Sequence, residues 1–121
     1  MDVKDYKDLI VWQKAMELAR EIYKLARKLP KEEMYGLSNQ IRRSAVSIPS
    51  NIAEGHSRNS RKEFIQFLSI AKGSKSELET QLILCRDLGY FEHEDIENCF
   101  ILITEVGKML NGLMKKLTPN P

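Results

Sequence analysis

Two histidines, two cysteines and a scatter of serines are the residues of this chain whose chemistry could support catalysis or metal binding. His56 and His93 each stand alone, no HExxH occurs, and no carboxylate and histidine have the spacing of a di-metal site in a helical bundle. Cys85, Cys99 and His93 could meet near the ends of two helices. Both cysteines, however, fall on apolar stripes, which suits core thiols better than a metal or redox centre. No serine sits in GxSxG, and neither histidine is placed to relay a proton. Gly36, Gly55, Gly73 and Gly89 are scattered. The run Gly73-Ser74-Lys75-Ser76 lies inside a helical pattern, where backbone amides are already bonded and cannot cradle a phosphate. The expectation is a protein without catalytic residues, metal or cofactor.

Charge offers a different chemistry. Residues 1–62 carry 13 Lys and Arg against 8 Asp and Glu, whereas residues 63–121 carry 6 against 9, so a net charge of +2 is unevenly spread. Lys14, Lys24, Arg27, Lys28 and Lys31 on the first helix and its exit, Arg42 on the second, and Arg58, Arg61 and Lys62 before the third could neutralise phosphates. Such groups would bind RNA or DNA without reading bases. Acidic residues interrupt the set, and the same asymmetry would serve attraction between subunits or plain solvation.

A third pattern lies in residues 39–54. Asn39, Arg43, Ser47, Ser50 and Glu54 share one helical face that is small, polar and poor in Lys and Glu. A solvated face would usually carry more charge, so this stripe suggests a hydrogen-bonded contact with a neighbouring helix, with simple surface as the alternative.

Four helices must position these residues. Val11, Ala15, Leu18, Ile22, Leu25 and Leu29 recur at steps of three and four. A second stripe of Trp12, Met16, Ala19, Tyr23 and Ala26 lies beside them, predicting a helix over 9–29 with a wide apolar face. That width fits a bundle core with apolar surface left for another subunit. Pro30 breaks the pattern. The second helix is expected over 32–54, with Met34, Leu37, Ile41, Ile48 and Ile52 inward, Glu32 and Glu33 in its first turn, a bend at Pro49 and an end at Gly55. Ser60 and Glu63 have the spacing of a capping box and open a third helix over 60–88. Its stripe is Phe64, Phe67, Ala71, Ser74, Leu78, Leu82 and Cys85, and Gly73 and Ser74 would admit a close neighbour. Ile96, Cys99, Ile103, Val106, Leu110, Leu113 and Leu117 predict a fourth helix over 94–117. Helices of about 20 residues are near 30 Å long. Joined by short connections, they make an all-α, antiparallel up-down-up-down four-helix bundle in one domain over 1–121.

Composition agrees. With 42% hydrophobic and 30% charged residues the chain is globular in kind, and 121 residues can bury a core without staples. Two isolated thiols suit a reducing cytoplasm. The charged start MDVKDYKD resembles neither a signal peptide nor an anchor, and no apolar run approaches the roughly 18 residues of a membrane span.

Several blocks are familiar: Leu9-Ile10-Val11-Trp12 followed by Ala15; Tyr35 to Arg43; Ser47-Ile48-Pro49-Ser50-Asn51-Ile52-Ala53-Glu54-Gly55; and Ala71 to Leu82. From about Tyr6 to Leu117 the chain resembles the bacterial four-helix bundle family that includes proteins encoded within intervening sequences of large-subunit ribosomal RNA genes. Related proteins are accessory proteins of diversity-generating retroelements. The resemblance implies a four-helix protomer in a ring-shaped homopentamer, a second helix continuous through Pro49, and association with nucleic acid, in the retroelement branch beside a reverse transcriptase. It also implies packing roles for Arg43, Asn51 and Glu54. Members of the retroelement branch look more strongly basic than this chain, and Ser44 stands where alanine is common. Two functions are therefore expected side by side: an oligomeric module that contacts RNA or DNA, and a scaffold or adaptor for a protein partner.

Overall fold

The computed structural model of the chain describes residues 5–119. The first four residues of the charged amino terminus, and Asn120 and Pro121, lie outside the described residues. A 3-10 turn over Tyr6–Asp8 leads into α1 (Ile10–Ala26). A second 3-10 turn over Lys31–Glu33 precedes α2 (Leu37–His56), followed by α3 (Arg61–Asp87) and α4 (His93–Leu117). Each helix packs on its neighbours in chain order and α4 closes back onto α1, while among the described residues the backbones of the diagonal pairs stay apart. This is the four-helix bundle that the apolar stripes predict. No helix among the described residues is long and apolar enough to cross a membrane.

The core forms where the stripes meet. Val11, Ala15, Leu18, Ile22 and Leu25 are all buried on α1, and Leu18, Ile22, Ile41, Ile48, Ile52, Leu78, Leu82, Ile96, Ile103 and Leu110 are among the side chains wholly removed from solvent. Each such Leu or Ile contributes about 1.5–3 kcal/mol relative to exposure. Leu68 and Leu102 are core residues outside the predicted stripes, while Phe64 and Phe67 are half-buried. The periodicity on α3 ran one position off at its start, because aromatic rings can pack at the rim of a core.

Three boundaries differ from expectation. Helix α1 stops at Ala26, not at Leu29. Lys28 and Leu29 donate to the carbonyls of Leu25 and Ala26 at 2.9 and 3.2 Å, a tighter last turn forced by Pro30, which disfavours helical backbone before it. Helix α2 begins at Leu37 instead of residue 32, so Met34 is 48% exposed and no part of the inward stripe. Glu33 nevertheless serves the helix start, accepting the Leu37 amide at 3.3 Å. Gly55 does not end α2. It is buried inside the helix, and a Cβ there would lie 2.6 Å from Phe67 Cβ. Its missing side chain is what lets α3 approach.

Helix α2 runs unbroken through the buried Pro49, as preferred from the register of Ile48 and Ile52. A proline inside a helix costs about 3 kcal/mol or more. Both isoleucines being wholly buried offsets it. At Ser60 the N-cap half of the expected capping box forms, with the Glu63 amide donating to Ser60 Oγ at 3.1 Å, while Glu63 meets the Ser60 hydroxyl and not its backbone amide. Helix α3 ends at Asp87, and Gly89 just beyond it turns the chain with a φ of +82° that only glycine adopts freely; the Gly89 and Tyr90 amides close onto the carbonyls of Arg86 and Cys85.

Candidate nucleic-acid interface

The nine basic candidates fall into different environments. Lys14 is engaged by Glu105 of α4 at 3.3 Å and Glu17 at 3.7 Å, and its hydrogen bond to Glu105 raises its pKa. Lys24 binds Glu21 at 2.8 Å. Arg58 sits between Glu54 at 3.4 Å and Glu63 at 3.9 Å. Arg27, Lys28, Lys31, Arg42, Arg61 and Lys62 make no ion pair among the described residues, and neither does Arg43.

Topology separates the unpaired cations further. Arg61 and Lys62 lie beyond the C-terminal end of α2, while Arg27, Lys31 and Arg42 gather at its N-terminal end, about 30 Å away along a helix of 20 residues. Those three line a cleft of about 270 Å³ between the end of α1 and the start of α2, with Tyr23, Ala26, Leu29, Pro30, Met34 and Ser38 as its other walls. A second hollow of about 530 Å³ continues along α2, lined by Tyr23, Asn39, Arg42, Arg43, Val46 and Ser47. Among the described residues no carboxylate lines either.

Local structure fixes the shared wall. Tyr23 on α1 and Arg27, its C-cap in helical backbone conformation, are one turn apart and therefore project on one face. Arg42 Nε donates to the Ser38 carbonyl at 3.2 Å, and its guanidinium lies 5.9 Å from the Tyr23 ring centroid, within cation–π reach. Tyr23 and Ser38 were not legible as site residues, since Tyr23 reads as one member of an apolar stripe. The i,i+4 relation to Arg27 is the signal that could have marked it.

The structural candidates divide as well. Ser47 Oγ and Ser74 Oγ are 2.8 Å apart across the α2–α3 contact, and Asn51 Nδ2 donates to the Ser47 carbonyl at 2.7 Å and to Ser47 Oγ at 3.0 Å. The expected hydrogen-bonded stripe is thus present, but on Ser44, Ser47 and Asn51. Arg43, Ser50 and Glu54 are exposed and Asn39 half-buried. The correction comes from geometry: steps of three and four from Ser44 keep to the face that α3 covers. Ser44 is itself buried, with Oγ 3.1 Å from Glu77 Oε1 and 2.9 Å from Gln81 Oε1; its one proton serves one of them at a time. Gly73 is exposed with nothing within 4 Å of a Cβ, so it admits no neighbour. Trp12 is half-buried, edge-on to Tyr6 at 5.4 Å, and lines an α1–α2 hollow with Met16, Val46 and Pro49.

Elsewhere the chemistry is quiet. Cys85 and Cys99 are buried free thiols whose pKa is pushed up to about 11 by burial, leaving them protonated and unreactive at neutral pH. His56 is the last residue of α2, edge-on to Phe64, and His93 is the exposed first residue of α4. Among the described residues no group of three or more His, Cys, Asp and Glu could hold a metal ion.

Comparison with known proteins places this geometry. No curated protein matches the chain. Among solved structures, it is similar to a protein of unknown function from the S23 ribosomal protein family of Bacteroides thetaiotaomicron, with 34% identity and a TM-score of 0.82. The match covers 88% of this chain and 99% of that one. Residues 7–112, nearly the whole bundle, match the 23S rRNA-intervening sequence protein family, and the chain belongs to that family.

Proposed function

We propose that this protein is a non-enzymatic, self-associating module that binds RNA or DNA through the cleft between α1 and α2. One observation carries the proposal: Arg27, Lys31 and Arg42 converge on a hollow without a carboxylate, whereas Lys14, Lys24 and Arg58 are neutralised within the chain. Unpaired cations held close together cost electrostatic energy, and a polyanion would recover it. Three to four phosphate contacts per protomer would give a single-strand salt slope of roughly −2 to −3.

Self-association in a ring of five is the arrangement that the family resemblance implies. The outer surface of α3 and α4 supports it, because Ile70, Ile83, Leu84 and Ile101 are all more than a third exposed, and Ile83, Phe100 and Ile101 line a further hollow. Such apolar surface mostly marks contact with another protein. A ring would repeat the basic cleft and raise avidity without any new contact. Two reduced thiols fit a cytoplasmic setting. The same apolar face favours the second function, an adaptor for a protein partner.

Fluorescence-anisotropy titration separates the two. Labelled RNA and DNA should bind at micromolar concentration or tighter near physiological salt. Neutralising Arg27, Lys31 and Arg42 to Gln should weaken binding and flatten its salt dependence, and the same change at Arg58, Arg61 and Lys62 should do little. Absence of binding even at low salt would leave the adaptor function.

A further inference from the structure

Charge alone accounts for phosphate binding and leaves two tyrosines unexplained. Tyr35 is 90% exposed and Tyr23 41% exposed, so the fold gains little from burying either ring. Tyr35 directly follows Met34, which lines the cleft, and Tyr23 stands in the wall shared by both hollows. The Arg42 guanidinium, tethered through Nε to the Ser38 carbonyl, lies 5.9 Å from the Tyr23 ring centroid. An exposed aromatic ring, a guanidinium plane held beside it and free cations on either side make a surface suited to base faces as well as phosphates.

Resting on the nucleic-acid function proposed above, we infer that the cleft takes single-stranded RNA or DNA in preference to duplex, with one unstacked base on the Tyr23–Arg42 pair and another on Tyr35. In a duplex the base faces are hidden in the stack, and only edges and phosphates can be touched. The hollows, of about 270 and 530 Å³, adjoin at the wall that Tyr23 and Arg42 share, in the groove between α1 and α2. A groove of this kind follows one flexible strand; a duplex, whose major groove alone is about 12 Å wide, would bridge it and reach only the outer cations. Stacking is indifferent to base identity because every base has a π-face, so little sequence preference is expected. RNA and DNA differ at the 2′-hydroxyl, which this chemistry does not address.

The test uses the full chain with four probes of one length: oligouridylate, oligothymidylate, and RNA and DNA duplexes. At near-physiological salt both single strands should bind at least about tenfold tighter than the duplexes. Tyr35→Ala and Tyr23→Leu should each weaken single-strand binding by about tenfold while leaving the salt slope and duplex binding unchanged. Iodouridine placed in the single strand should photo-crosslink to the peptides carrying Tyr23 or Tyr35. Tyr35→Ala removes an exposed ring and Tyr23→Leu keeps apolar bulk, and a circular-dichroism melt confirms that each folds. Equal affinity for strand and duplex, or tyrosine variants that bind like the parent, would overturn the inference while leaving charge-driven binding intact. If no probe binds even at low salt, both fall together.

Discussion

The two ends of α2 both carry basic residues but differ in how closely other helices press on them. At the C-terminal end Arg58 is pinned between Glu54 and Glu63, and the helix is pressed onto α3 so closely that Gly55 has no room for a methyl group. At the N-terminal end Arg42 and Arg43 face hollows that no carboxylate among the described residues lines, and the neighbouring segment 27–36 is turns and a short 3-10 helix, not α-helix. The C-terminal end is closely packed, with Arg58 paired and Arg61 and Lys62 left without an ion pair among the described residues; the N-terminal end holds its cations beside open hollows. Residue type does not distinguish the ends. Neighbours contributed by other helices do.

The largest effect that could break this comparison lies in the tight end. Gly55→Val should destabilise the protein by about 3 kcal/mol or more, because Phe67 Cβ and the Phe64 carbonyl cannot both move aside. Gly73→Ala, at a helical glycine facing open space, should instead stabilise by about 0.5–1 kcal/mol. Urea denaturation of both variants measures the contrast, and equal effects would show that the α2–α3 contact is not as close as described.

A smaller effect concerns the seam that joins the ends. Ser44→Ala should cost about 1–2 kcal/mol, since a buried hydroxyl leaves Glu77 and Gln81 without their shared partner. Ser50→Ala, on the exposed side of the same helix, should lie within about 0.5 kcal/mol of the parent. Thermal melts of the pair check this.

The smallest effect sharpens the loose end. Tyr90 Oη donates to Glu33 Oε2 at 2.8 Å and ties the segment beside the cleft to the α3–α4 turn. That bond raises the Tyr90 pKa above its ordinary value. The protonated phenol is therefore the form the native state prefers: the contribution is whole below about pH 10 and is lost as pH rises through the raised value. Tyr90→Phe should lower stability slightly at neutral pH and flatten the alkaline decline. A parent-like pH profile in the variant would show that the tie is idle.

Much of this was legible beforehand, for reasons that can be named. Apolar residues at steps of three and four mark a buried helical face, so Val11 through Leu29 and Ile96 through Leu110 found their places. Ser60 with Glu63 announced a helix start because capping is a local bond between neighbours in sequence. The cleft was only half legible. Arg27, Lys31 and Arg42 stood out as cations; Glu21 and Glu54, one turn from Lys24 and Arg58, were a local signal that those two are paired, whereas the Glu105 partner of Lys14 comes from another helix.

Sequence by itself determined the number of helices, their inward faces and the passage of α2 through Pro49, because periodicity, proline and caps act within a few residues of themselves. Only the tertiary structure decided which glycine meets another helix, which serines join α2 to α3, and that Lys14 is held by Glu105 of α4. Each of those depends on what residues distant in the chain bring within a few ångströms, and packing, charge pairing and hydrogen bonding are all set by that distance.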